Sequence, residues 1–353
     1  MTNHFLTPAR TGMIASQQRT IAAWLLACCA LVFAMVVVGG ITRLTHSGLS
    51  IVEWQPIVGI VPPLDAAQWE DAFAKYRLTP EYRHVNSGMT LAAFKSIFWW
   101  EYFHRLLGRA IGAVFLLPLI VLAVRGKIDR RRVPQLAGIF LLGGLQGALG
   151  WYMVQSGLVD DPRVSQYRLT THLGLAVLIY GAMFWLALDL MHPERHASTD
   201  MRMRRLRRWA VALTALVFVM ILSGGLVAGI RAGLAYNTFP LMNGHIVPPE
   251  VFLIDPWPLN FFSNMATVQF DHRLIAWTLA LVTPLFWWQV RRIPAAAHAR
   301  VGAHALLALL ALQIALGIAT LLLVVPVPLA AAHQAGAVLV FTAALHVTHT
   351  LHR

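Results

Sequence analysis

Eight runs of about 20 mostly apolar residues follow one another along this chain, each long enough to carry a helix across the hydrocarbon core of a bilayer. They are 21–42, 104–124, 133–154, 169–190, 209–230, 272–290, 301–325 and 329–348. Within a bilayer every backbone N–H and C=O must be paired inside the segment, so runs of this length are helices. The expectation is an all-α integral membrane protein with eight transmembrane helices. Composition agrees: only 12% of residues are Asp, Glu, Lys or Arg, about half the share of a soluble domain. Residues 1–19 are polar and show no small-residue cleavage site behind a short apolar core, so no cleaved signal peptide is expected.

The formal net charge is +13. A nucleic-acid groove would gather that charge on one surface. Here it lies in short tracts between apolar runs, such as 125–132 and 202–208, and no nucleic-acid partner is expected. Arg10, Arg19, Arg125, Lys127, Arg130, Arg131, Arg132, Arg195, Arg202, Arg204, Arg205, Arg207, Arg208, Arg291, Arg292, Arg300 and Arg353 put 17 of the 28 Lys and Arg residues on one side. That side is expected to be cytoplasmic, in the cell inner (plasma) membrane, with both termini inside. The opposite face then carries two long loops, 43–103 and 231–271. The first holds Trp54, Trp69, Trp99 and Trp100, read as an interfacial aromatic belt. Cys28 and Cys29 are adjacent within the first run and read as small buried hydrophobes, not as a disulfide.

The two halves repeat. Gly39-Gly40 followed by Ser47-Gly48-Leu49 matches Gly224-Gly225 followed by Ala232-Gly233-Leu234. Phe103-His104-Arg105-Leu106 matches Asp271-His272-Arg273-Leu274, and Leu145-Gln146-Gly147-Ala148-Leu149-Gly150 matches Leu312-Gln313-Ile314-Ala315-Leu316-Gly317. More loosely, His172 with 174–178 aligns with 333–339. Four matches in the same order predict two tandem four-helix bundles related by a pseudo-twofold axis along the membrane normal. The organisation is then a cytoplasmic tail over 1–20, one half over 21–190, a basic linker over 191–208 and a second half over 209–350.

An ionisable residue in a membrane helix is a functional candidate by default. His104, His172, His272 and His333 are predicted to begin the second, fourth, sixth and eighth spans, all near the outer face. A lone histidine there reads as a hydrogen-bonded helix cap. Four related by the repeat pair as His104 with His172 and His272 with His333, and two imidazoles on neighbouring helices can hold one haem iron from both sides. Structural zinc fits less well, because no residue set completes four ligands. Arg105 and Arg273 follow two of these histidines and are candidate partners for haem propionates, with interfacial snorkelling as the alternative. The repeat breaks at one acid: Glu101 lies three residues before His104, where the other half has Gln269. Gln cannot exchange a proton near neutral pH, so the first half is the candidate for chemistry and the second for electron transfer. The alternative is a Glu that only pairs with Arg105. His192, His196 and His298 are assigned to cytoplasmic connections, and His346, His349 and His352 to a solvated tail. His46, His84 and His245 lie in the outer loops without an assignable partner.

The run Phe98-Trp99-Trp100-Glu101-Tyr102-Phe103-His104-Arg105-Leu106-Leu107-Gly108-Arg109 resembles the signature of the haem A synthase family. So do Arg43-Leu44-Thr45-His46-Ser47-Gly48-Leu49-Ser50 with Glu53-Trp54, Thr171-His172-Leu173-Gly174, Phe270-Asp271-His272-Arg273-Leu274 and Ala332-His333-Gln334. The likeness covers nearly the whole chain. It implies oxidation of the C8 methyl of haem O to a formyl by successive hydroxylations, giving haem A for aa3-type terminal oxidases. It further implies haem b on His272 and His333, substrate haem O on His104 and His172, and Glu101 as the catalytic carboxylate. Haem O synthase and cytochrome oxidase assembly factors would be neighbours in the membrane lipid, and a homo-oligomer is left open. Some bacterial members carry a cysteine pair in the first outer loop. This chain has none there, like the group resembling proteobacterial and mitochondrial members. Two rivals stand beside the enzyme. A di-haem electron-transfer cytochrome b would gain from haems near opposite faces, whereas all four histidines fall on one side. A haem carrier or exporter has little need of Glu101.

Overall fold

The computed structural model describes residues 8–55, 58–158, 164–192, 200–293 and 297–352. Among them the architecture is all-helical. Eight long helices carry the fold: α1 (Pro8–Leu44), α4 (Leu91–Val124), α5 (Val133–Gly157), α6 (Gln166–Met191), α7 (Met201–Gly229), α9 (Met265–Arg292), α10 (Ala297–Leu322) and α11 (Val327–Leu351). Short helices α2 (Ala66–Arg77), α3 (Pro80–His84) and α8 (Asn260–Ser263) lie in the two long loops.

Seven of the long helices are long and apolar enough to cross a membrane, and the chain is a multi-pass membrane protein. The long helix outside that set is α9. Its apolar stretch is diluted by Thr283, Pro284, Trp287, Trp288 and Gln289 and flanked by Asp271, Arg273, Arg291 and Arg292.

Helix starts follow from local chemistry. The Thr90 hydroxyl accepts from Ala93 N at 3.3 Å to cap α4, and Asn264 accepts from Ala266 N and Thr267 N to cap α9. Each satisfies orphan donors of a first turn. These caps correct the expected boundaries. His104 and His272 do not begin their helices; α4 starts at Leu91 and α9 at Met265. The hydrocarbon-length rule reports only what crosses the membrane, while the helix continues outward wherever side chains can still be buried. In α4 that burial comes from Phe94, Ile97, Phe98 and Tyr102, packed on Trp69, Phe73 and Tyr76 of α2. Trp69 is therefore a core residue of this loop cap, edge-on to Phe98 at 4.9 Å, whereas Trp54 and Trp100 stay exposed.

The neighbour pattern is regular. α1 packs on α4 and α6, and α5 packs on both α4 and α6. In the second half α7 packs on α9 and α11, and α10 on both α9 and α11. The halves join where α1 meets α11 and α6 meets both α7 and α11. Without a hydrophobic force between helices in lipid, close packing holds such contacts, and small residues permit it. A methyl added at Gly225 would meet Thr170 Oγ1 at 2.9 Å, and one at Gly229 would run into Gln166. One continuous apolar core runs through both halves, from Leu25 and Cys28 to Phe286 and Phe341. Cys28 and Cys29 are buried free thiols, as expected.

The expectation of a solvated histidine tail holds for His352, which is exposed, and is overturned at His349. α11 runs on to Leu351, and His349 is only 4% exposed. Its Nε2 lies 3.0 Å from Asp189 Oδ1 on α6, and its ring stands edge-on to Trp185 at 4.9 Å. An apolar face extending to the last turn draws the histidine into the α6–α11 contact. His196, with Arg195 and Arg353, lies outside the described residues.

Candidate functional site

The four histidines fall into two matched settings. His104 on α4 stands over Gly39 of α1, where an added methyl would meet its Nε2 at 3.3 Å. His272 on α9 stands over Gly224 of α7, with the corresponding contact to Cε1 at 3.4 Å. His172 faces Gly150 and His333 faces Gly317, at 3.0 and 2.8 Å from such a methyl. Next to each of these last two, a glutamine side chain of the neighbouring helix donates to the histidine's own carbonyl: Gln146 Nε2 to His172 O at 3.0 Å and Gln313 Nε2 to His333 O at 2.8 Å. His104 lies within electrostatic reach of His172, and His272 of His333.

Two of these rings are short of partners. Nδ1 of His172 and Nδ1 of His333 are buried without a hydrogen bond. An unpaired buried ring nitrogen is costly unless something else engages the imidazole. Among the described residues no group of three or more His, Cys, Asp or Glu could hold a metal ion. Paired imidazoles on facing helices, with glycine opposite each ring, suit axial ligation of a haem iron better than a tetrahedral zinc site.

Glu101 lies one turn from His104 on α4 and is 2% exposed. Its Oε1 takes Arg105 Nε at 3.0 Å and Arg105 Nη2 at 2.6 Å. Its Oε2 takes the Ser50 hydroxyl and the Ile51 N–H, each at 2.7 Å. The loop reaches it because the chain turns sharply after α1: His46 is left-handed (φ 53), Ser47 N bonds Thr42 O at 2.9 Å, and Thr45 and Ser47 hydroxyls meet at 2.7 Å. Arg105 also donates to Glu53 O and Ile51 O at 3.0 and 2.7 Å. The same frame recurs around Gln269, whose Nε2 donates to Ala232 O at 3.0 Å and whose Oε1 takes Arg273 at 3.4 Å. Arg273 Nη2 donates to Tyr236 O at 3.0 Å, and its Nε is buried without a partner. His46, unassigned from sequence, accepts from Arg231 Nη2 at 3.3 Å.

Residues 22–345 match the family described as Cytochrome oxidase assembly protein, COX15-CtaA. The chain belongs to this family. Among its COX15-CtaA relatives, the heme A synthase of Nitrosospira multiformis is 62% identical over 98% of this chain and 97% of its own length. That of Nitrosomonas eutropha is 59% identical over 94% and 93%, and that of Paramagnetospirillum magneticum 52% over 98% and 97%.

The four histidines, Glu101 and the two arginines are singled out by the sequence, but the side chains packed around them are not. Ser50 and Ile51 N escaped because their contact with Glu101 spans about fifty residues of chain. Gly39, Gly150, Gly224, Gly317, Gln146 and Gln313 all stood in the matched repeat segments. The repeat was the signal, and only packing tells what those positions face.

Proposed function

We propose that this chain is a haem A synthase, oxidising the C8 methyl of haem O to the formyl of haem A for a terminal oxidase. It is a haem-dependent membrane oxidoreductase. The observation that carries the reading is a matched pair of histidine settings, only one of which has a buried acid beside it. His104 and His172 would hold substrate haem O, and His272 and His333 a resident haem b, which supplies a one-electron relay when bound. Glu101 would be the carboxylate that takes up a proton next to the substrate. Ser50, Ile51 N and Arg105 fix its two oxygens, the kind of support that a positioned acid–base group needs. Arg105 is engaged with Glu101 and loop carbonyls, so of the two candidate propionate partners Arg273, with its unpartnered Nε, has the freer donor.

The matched neighbour pattern and the matched contacts support two tandem bundles related along the membrane normal, with α9 as the eighth span. With both termini cytoplasmic, the histidine sites lie toward the outer face, at the end where α1, α5, α7 and α10 finish. Haem O synthase and oxidase assembly factors are the expected neighbours. The decisive experiment is expression of the chain beside a haem O synthase, with extracted haems identified by mass spectrometry. Formyl-bearing haem made by wild type and not by Glu101→Gln supports the enzyme. Unchanged haem O with two bound haems b would instead indicate an electron-transfer cytochrome.

A further inference from the structure

Besides Glu101 and the groups on it, the two sites differ in a support of one ligand ring. His272 Nδ1 lies 2.9 Å from the hydroxyl of Ser223 on α7. The repeat sets Gly224 against Gly39, so the residue matching Ser223 is Val38. Val38 offers no hydroxyl, and neither ring nitrogen of His104 has a hydrogen bond among the described residues. The opposite ligands do not differ in this way. His172 and His333 both have an unpartnered Nδ1, both face a glycine, and both carry a glutamine on their carbonyl. The asymmetry is confined to the histidines that α1 and α7 support.

A hydrogen bond to the far nitrogen of an imidazole ligand fixes its tautomer and its ring orientation. If Nδ1–H donates to Ser223 Oγ, Nε2 is left as a lone pair that can bind iron. A resident cofactor benefits from a ligand pinned in this way. A substrate that must enter as haem O and leave as product benefits from a ligand that can let go. We propose that Ser223 is a positioning residue that makes the His272–His333 site retentive, and that Val38 leaves His104 unpinned so that the His104–His172 site exchanges its haem. This rests on the division of roles between the halves proposed above.

The test uses the purified full-length protein with its bound haem. Haem loss to excess apomyoglobin is timed, and the low-spin electron paramagnetic resonance signal and midpoint potential are recorded. Ser223→Ala is expected to speed loss of the low-spin haem by about 10- to 100-fold, the usual effect of removing such a partner, and to shift its signal. Ser223→Thr keeps a hydroxyl and should restore the wild-type rate and signal, which a purely structural role for Ser223 would not require. Val38→Thr should slow release of haem O added to the first site. An exchange rate for Ser223→Ala within about twofold of wild type, while His272→Ala loses the low-spin haem, overturns this inference and leaves the assignment of the halves standing. Retention of that haem by His272→Ala overturns both.

Discussion

Glu101 is surrounded only by donors: the Arg105 guanidinium on one oxygen, the Ser50 hydroxyl and the Ile51 N–H on the other. In Glu101→Gln one amide N–H₂ must face a donor, a mismatch that costs about 1–3 kcal/mol. Some loss of folded protein is therefore expected, and the informative quantity is haem A formed per spectroscopically intact haem b. That ratio should fall by about 10²–10⁴; a value within about twofold of wild type would remove Glu101 from the chemistry. A second acid, Glu81 on α3, escaped the sequence reading. It is 4% exposed, and burial pushes its carboxyl up to about 7, with Glu101 adding repulsion and Arg43 and Arg231 opposing it. Because the folded value lies above the ordinary one, its contribution to stability is complete below about 4.5 and is lost as pH rises through about 7. Wild type should melt at progressively lower temperature from pH 5 to pH 8. Glu81→Gln should flatten that slope, gaining on the order of 3 kcal/mol at most at the alkaline end. Parallel melting curves for the two proteins would show that Glu81 does not titrate in this way.

At the scale of elements, each candidate site is a contact between two pairs of helices. α4 and α6 bring His104 and His172, α9 and α11 bring His272 and His333, and glycines on α1, α5, α7 and α10 make room for the rings. Loss of one imidazole should empty its own site and spare the other. His272→Ala and His333→Ala are expected to abolish the low-spin haem b spectrum, because bis-histidine ligation needs both rings. His104→Ala and His172→Ala should keep most of that spectrum while haem A formation stops. Equal loss of haem b in all four variants would refute different roles for the halves. The long extension of α4 beyond its apolar run also has a part at this scale. Its aromatic contacts with α2 hold the loop that delivers Ser50 and Ile51 to Glu101.

Across the whole molecule the two sites share a seam. Gln334, next to His333, donates to Val36 O of α1 at 2.8 Å, and its amide lies against Gly40, while the adjoining Gly39 faces His104. On the same seam Arg43 donates to Ala228 O at 3.1 Å. A bilayer gives this arrangement a direction, and the uneven Lys and Arg distribution is the basis for expecting the termini in the cytoplasm. Reporter fusions at Arg353 should report the cytoplasm, and fusions in the loops holding Glu53 and His245 should report the outside. A periplasmic signal at Arg353 would reverse the orientation and place the histidine sites toward the cytoplasm.

Sequence alone was enough for the helical class, and it marks matched segments in the two halves, four histidines within them and the acid at which they diverge. Each of these is written in local order: run length fixes a span because lipid offers no partner to an unpaired backbone group, and a repeat is visible as matched residues at matched spacing. The tertiary structure decided what those residues touch. Ser50 reaches Glu101, Ser223 reaches His272, Gln334 reaches Val36 and Asp189 reaches His349 through contacts between residues about 50 to 300 positions apart. It also decided where α4 and α9 begin and that Trp69 and His349 are buried. Such contacts depend on which helix faces turn toward each other, and that is set by packing across the whole bundle rather than by the order of residues in any one segment.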